Sequence, residues 1–277
     1  MSARGTSSRP DMKPIDHTES TRAARGNSAA PGLVIALWAV PRSVSTAFER
    51  MMTARGDFTV FNEPFSACYY FGPNRVSDRF PPETPSSDHD PDRILETFQE
   101  SAADSAVFFR DMAYHVRDII SKEFLAQFTN TLLIRNPDLA IPSLYKRMPD
   151  FTLEETGYES LLALAELATD VAGTPPFAMD GEQLRGDPRT TVRAFCDATD
   201  IPFREDALEW QPQEEEHWNR WQEWYRDAAN SSGFKRPARP PDPEVLAIPR
   251  VAEAIEHCRP LYEELKTYCA DPQESPK

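Results

Sequence analysis

Positive charge is scarce in this chain. Across 277 residues, 30 lysines and arginines face 45 aspartates and glutamates, a formal charge of −15. A surface of that sign repels the phosphate backbone of nucleic acid, which argues against a general nucleic-acid binder. Any anionic ligand must therefore be gripped locally, by a few arginines and backbone amides working against the global field. Cysteine is scarce as well. Cys68, Cys196, Cys258 and Cys269 form no C-x-x-C pair and show no zinc-like spacing toward the five histidines, so no metal site is expected and a reducing compartment is. No apolar run approaches the roughly 20 residues needed to cross a bilayer. The opening MSARGTSSRPDMKPIDHTES lacks the apolar core of a secretory signal. The expectation is a soluble, cytoplasmic protein with neither membrane nor nucleic acid as partner.

What is present suffices for a core: 40% hydrophobic and 27% charged residues exclude a fibre, a repeat array or a bare linker. Residues 1–31, rich in Ser, Arg, Thr, Ala, Pro and Gly, read as a flexible tail, residues 32–271 as a single α/β domain, and 272–277 as a flexible end. LVIALWAV after Gly32 is a continuous apolar run of strand length, the pattern of a strand covered on both faces. A helix over 47–54 and the strand FTVF at 58–61 follow. Residues 62–91, rich in Pro, Ser and Asp, read as an irregular lid or substrate loop, whose Tyr69, Tyr70, Phe71, Arg75 and Arg79 suggest apolar walls with some basic character. Next come a helix over 92–103, a strand over 106–110, a helix through Phe128 and the strand TLLI at 131–134. A helix over 158–171, the strand FAMD at 177–180 and a helix capped by Asp187 and begun by Pro188 complete the alternation. The pattern predicts a parallel β-sheet flanked by helices on both faces, with extra C-terminal helices. Among the latter, Trp218, Trp221 and Tyr225 make one helical stripe, read as core packing before an acceptor wall.

Two segments carry anion chemistry. In VPRSVSTAF a buried strand ends at Pro41 and runs into a helix, a point where backbone N–H groups and the helix dipole favour phosphate. Arg42, Ser43, Ser45 and Thr46 add donors there, although a Ser/Thr cluster can also serve only as a cap. The glycine pair and lysine of a nucleotide-triphosphate loop are absent, which disfavours ATP or GTP hydrolysis. In LLIRNPDLAIPSLYK, Arg135 stands at the carboxyl end of a buried strand, where open α/β sheets bind ligands. Asn136 can cap and Pro137 start a helix that carries Ser143 two turns on.

Together these segments resemble the sulfotransferases that use 3′-phosphoadenosine 5′-phosphosulfate (PAPS). Their first loop reads roughly P-[KR]-S-G-[ST]-T, and their second motif is R-N-P with a serine eight residues after the arginine. The likeness runs over about residues 33–236 and implies that the loop Arg42, Ser43, Val44, Ser45, Thr46 and Ala47 holds the 5′-phosphosulfate. Arg135 and Ser143 would hold the 3′-phosphate. SSGF at 231–234, with Ser232, Gly233 and Phe234 followed by Lys235 and Arg236, is similar to the late loop that closes over the nucleotide. Two departures stand out. Val44 replaces a glycine, so the turn is expected to avoid a left-handed conformation there. Pro142, just before Ser143, is expected to kink or delay its helix.

The activity implied is sulfuryl transfer from PAPS to a hydroxyl of a small-molecule acceptor, natural-product or sugar-like, without a metal. Arg42 would lie against the transferring group. Glu63, in FNEPF directly after the second strand, is the expected general base, with pairing to Arg42 or capping of a neighbouring turn as its structural alternative. His115 competes because histidine titrates near neutral pH, but five residues past Arg110 it reads as a turn too far along a helix. Arg110 occupies roughly the position where relatives carry a lysine, and a surface pairing of Arg110 with Asp111 is its bland alternative. A P-loop small-molecule kinase and a non-catalytic nucleotide-binding scaffold are the alternative functions.

Overall fold

Five parallel strands form one sheet in the order β2-β3-β1-β4-β5: β1 Val34–Ala39, β2 Phe58–Asn62, β3 Ala106–Met112, β4 Thr129–Ile134 and β5 Phe177–Asp180. The computed structural model describes residues 28–213, 225, 228–234 and 240–269. β1 is central, with Ile35 in register with Phe108 on one side and Thr129 on the other. That position explains its unbroken apolar run, because both faces are covered. Ala36, Trp38 and Val40 point into one core with Phe109, Leu132 and Leu161. Ile35, Leu37 and Ala39 point into the opposite core with Phe48, Phe108 and Met179.

The helices are α1 Ser45–Arg55, α2 Ser66–Tyr70, α3 Pro91–Asp104, α4 Lys122–Leu125, α5 Pro137–Tyr145, α6 Tyr158–Ala172, α7 Gly181–Gly186, α8 Pro188–Ala198, α9 Pro243–Leu246 and α10 Pro249–Leu265. The chain leaves β1 toward β2 on one side and later crosses to β4 on the other. The carboxyl ends of β1 and β4 thus flank a topological switch point, where such sheets bind ligands.

Three elements differ from the sequence reading. The helix expected through Phe128 is absent: β3 runs to Met112, a 3₁₀ turn occupies Ala113–Val116, and only the short α4 follows. Asp111 causes this, since its Oδ1 accepts from Met112 N at 2.8 Å and meets His115 Nδ1 at 2.6 Å, tightening the chain immediately after the strand. The 62–91 excursion contains α2 and a 3₁₀ turn at Ser87–His89. Helix α5 continues through Pro142 to Tyr145. Residues 1–27 of the expected tail, 270–277, Trp218 and Trp221 of the aromatic stripe, and Lys235 and Arg236 lie outside the described residues. Ala29, within the expected tail, donates its N–H to Asp57 Oδ2 at 3.0 Å. Among the described residues no helix is long and apolar enough to cross a membrane.

Candidate active site

The loop after β1 has the conformation that its sequence argued against. Val44 is the N-cap of α1 with φ 77° and ψ 9°, left-handed, and Arg42 has φ 63°. The expectation that a β-branched residue would keep this turn out of the left-handed region is therefore overturned. The loop is closely hemmed in: Gly181, at the start of α7, is packed so tightly that an added Cβ would lie 2.7 Å from Ser43 O and 3.3 Å from Ile134 O. The N-cap position falls on Val44, whose side chain cannot cap, so no hydroxyl caps the helix from that position. The unsatisfied N–H groups of the first turn, with the positive helix end, are thus available to a ligand. Ser43 is fully buried and its hydroxyl has no partner among the described residues.

The second motif meets the first through Arg42. Its Nε donates to Ser143 Oγ at 3.0 Å, and its carbonyl accepts from Arg135 Nη1 at 2.7 Å. Residues 93 and 101 positions apart are thereby joined. Arg135 is also held by its Nε on Glu182 Oε1 at 2.9 Å, and its own carbonyl accepts from Tyr158 Oη at 2.6 Å.

At the β2 and β3 ends, Arg110 is fully buried between two carboxylates. Its Nε donates to Glu49 Oε2 at 2.6 Å and its Nη1 to Glu63 Oε1 at 2.5 Å, while Nη2 has no partner among the described residues. Burial alone opposes this charge, but Tyr225, Glu49 and Glu63 outweigh it and hold the guanidinium well above its ordinary range. Neither bland pairing survives: Arg110 has no surface pairing with Asp111, and Glu63 pairs with Arg110, not with Arg42. Tyr225 Oη donates to the same Glu63 Oε1 at 3.0 Å. Burial and then the Glu63 charge push that phenol well up, so it remains a donor. Glu63 itself has φ 43°.

His115 is closer to these groups than its spacing suggested, because the 3₁₀ turn replaces a helix. Its Nδ1 is fixed by Asp111, whose Oδ2 also accepts from Phe65 N at 2.7 Å. Its Nε2 is buried without a partner. Burial raises the Asp111 carboxyl, with His115 pulling against it.

Arg42, Glu63, Arg110, His115, Arg135, Ser143 and Tyr225 all border one cavity of about 790 Å³. Its lining includes Arg42, Val44, Ser45, Thr46, Ala47, Glu63, His115, Arg135, Ser143 and Gly233 from the sequence reading. Ser43, Ser232 and Phe234 are not in that lining; Phe234 instead meets the Trp210 ring edge-on at 5.4 Å. Among the described residues the lining carries six cations, Arg42, Arg79, Arg110, Arg135, Lys146 and Arg185, and a single carboxylate, Glu63.

The family model of the sulfotransferase domain matches residues 33–268. The chain belongs to the sulfotransferase domain family. Two proteins of Arabidopsis thaliana are similar to it: branched-chain-amino-acid aminotransferase-like protein 2, 28% identical over 240 residues, and branched-chain-amino-acid aminotransferase-like protein 1, 29% identical over 251. Each alignment covers 85% of this chain and 42% of the relative, so the chain spans less than half the length of the curated relatives it matches. Among solved structures, the sulfotransferase domain from the Synechococcus PCC 7002 olefin synthase aligns with a TM-score of 0.47 at 14% identity, over 84% of this chain and 96% of that one. The sulfotransferase domain from the curacin biosynthetic pathway aligns at 0.41 and 13%, over 83% and 99%.

Within this sulfotransferase fold, sequence reasoning missed Arg185, Lys146 and the buried Glu49. Glu49 sits mid-helix with no motif around it, and only the Arg110 partner facing it reveals its role. Arg79 was singled out, but its charge is used structurally, on Glu155 at 2.6 Å and Asp150 at 2.8 Å.

Proposed function

We propose that this sulfotransferase moves the sulfuryl group of PAPS to a hydroxyl of a small-molecule acceptor. The join made by Arg42 between the two motifs, in a cavity whose lining reverses the sign of the chain's charge, carries the reading. The residues fit the donor: N–H groups of the first α1 turn with Ser45 and Thr46 suit the 5′-phosphosulfate, and Arg135 with Ser143 suits the 3′-phosphate. Arg42 and the unpartnered Nη2 of Arg110 suit the charge of the group in transfer. Tyr70, Phe80, Met112, Tyr114 and Met148 form an apolar wall for the acceptor.

Bound PAPS supplies an electrophilic sulfur and a bisphosphate leaving group. Glu63 takes the acceptor's hydroxyl proton as that oxygen bonds to sulfur and the bond from sulfur to the 5′-phosphate oxygen breaks. Its Oε1 is held by Arg110 and Tyr225, and its other oxygen has no partner among the described residues, which aims one carboxylate oxygen at the cavity. A second assignment has its own observation: His115, oriented by Asp111 with Nε2 unpartnered, has the arrangement of a held imidazole base.

Isotopically labelled PAPS, incubated with the protein and a panel of hydroxyl compounds with apolar bodies, tests the reading by mass spectrometry. A sulfated product with release of the bisphosphate supports it. Consumption of ATP with magnesium and a phosphorylated product would make the chain a kinase, and donor binding with no turnover on any acceptor would make it a scaffold.

A further inference from the structure

Arg185 has no place in either motif, yet it lines the same cavity and its Nε is buried without a hydrogen-bond partner among the described residues. Helix α7 starts directly after β5, next to β4 in the sheet. Gly181 lets it lie against the first loop and the end of β4, with its missing Cβ 2.7 Å from Ser43 O. One turn later comes Arg185, close enough to Arg135 for the two charges to act on each other. Burial, and then Arg135, lower the readiness of Arg185 to hold its proton, with Glu182 opposing.

The charges around Arg135 show what Arg185 is for. Arg135 already has a carboxylate on its Nε, Glu182 at 2.9 Å, and a carbonyl on its Nη1. Its charge is therefore largely matched before any ligand arrives. Arg135, Glu182 and Arg185 together sum to one positive charge, and the unmatched share sits on Arg185. A phosphate dianion beside Arg135 would otherwise meet the Glu182 carboxylate as a like charge. A second guanidinium is what makes that corner attractive to a dianion, since charge-assisted bonds to arginine are the strong ones.

We propose that Arg185 is a donor-binding residue that recognises the 3′-phosphate, supplying the positive charge that Glu182 cancels on Arg135. The proposal rests on the PAPS reading. It assigns discrimination between 3′-phosphorylated and plain adenine nucleotides to α7 as well as to the R-N-P motif.

Calorimetric titration of the full chain with 3′,5′-adenosine bisphosphate and with AMP tests it, for wild type, Arg185→Ala and Arg185→Lys. The Arg185→Ala change should raise the Kd of the bisphosphate by about 10–100-fold, the range of lost charged hydrogen bonds, and leave that of AMP unchanged. Arg185→Lys should recover part of the loss, and thermal melts of all three should coincide. If wild type prefers the bisphosphate and Arg185→Ala leaves that preference intact, the role of Arg185 is overturned while the donor reading stands. Equal weakening of both nucleotides also overturns it, since Arg185 would then not read the 3′ end. If wild type itself shows no preference, the donor reading falls and the proposal with it.

Discussion

Among the described residues four non-glycine residues have positive φ, and three of them, Arg42, Val44 and Glu63, line one cavity. Such backbone costs of order 1–3 kcal/mol each and persists where surrounding structure dictates it, so its concentration here marks the functional end of the sheet. Val44 is the sharpest case, because a β-branched side chain resists the left-handed region. Val44→Gly should raise stability by up to about 1 kcal/mol, the relieved strain exceeding the entropy that glycine loses on folding. Chemical denaturation reads this, and a destabilised variant would show that Val44 packing outweighs its strain. Glu63→Gln keeps the shape and removes the proposed base. Turnover should fall roughly 10²–10⁴-fold with donor Kd nearly unchanged. His115→Ala is the paired variant, expected to cost less than about tenfold. The reverse ranking would move the base to His115 and leave Glu63 as the partner that holds Arg110.

At the scale of elements, α7 is the unexpected contributor. It buttresses the first loop through Gly181 and carries both Glu182 and Arg185. Gly181→Ala puts a Cβ 2.7 Å from Ser43 O, closer than the two atoms can sit. Overpacking of this kind costs about 1–3 kcal/mol, and the displaced loop should bind the bisphosphate more weakly. Unchanged melting and affinity would show the loop to be pliant. The central strands β1 and β3 were legible in the sequence because strands buried on both faces read as bare apolar runs, and the two anion motifs because each follows an apolar strand run directly. The turn after β3 was not legible: nothing in the spacing of the residues after the strand announces it, and only the side chain of Asp111, accepting from Met112 N and Phe65 N, shows why the chain tightens there. Glu49 was invisible for the same reason, since its partner Arg110 lies in another element, and Arg185 because the residues it faces across the cavity come from distant segments.

Over the whole molecule, a formal charge of −15 surrounds a cavity whose lining is cationic. Long-range repulsion of an anionic donor acts over tens of ångströms at low salt, about 30 Å at 0.01 M, and over about 8 Å at 0.15 M, whereas contacts inside the cavity are screened less. The association rate of the bisphosphate should therefore rise with salt over that range, as read by stopped flow. A falling rate would mean that the cavity's own field dominates the approach. The central claim is that the carboxyl ends of β1 and β4 form a site for a nucleotide bearing both a 5′- and a 3′-phosphate. Titration of Arg135→Ala beside wild type tests it most directly. Wild type should bind 3′,5′-adenosine bisphosphate at least about tenfold more tightly than AMP, and Arg135→Ala should lose that preference; equal affinity of wild type for the two nucleotides, or a preference that survives the loss of Arg135, would contradict it.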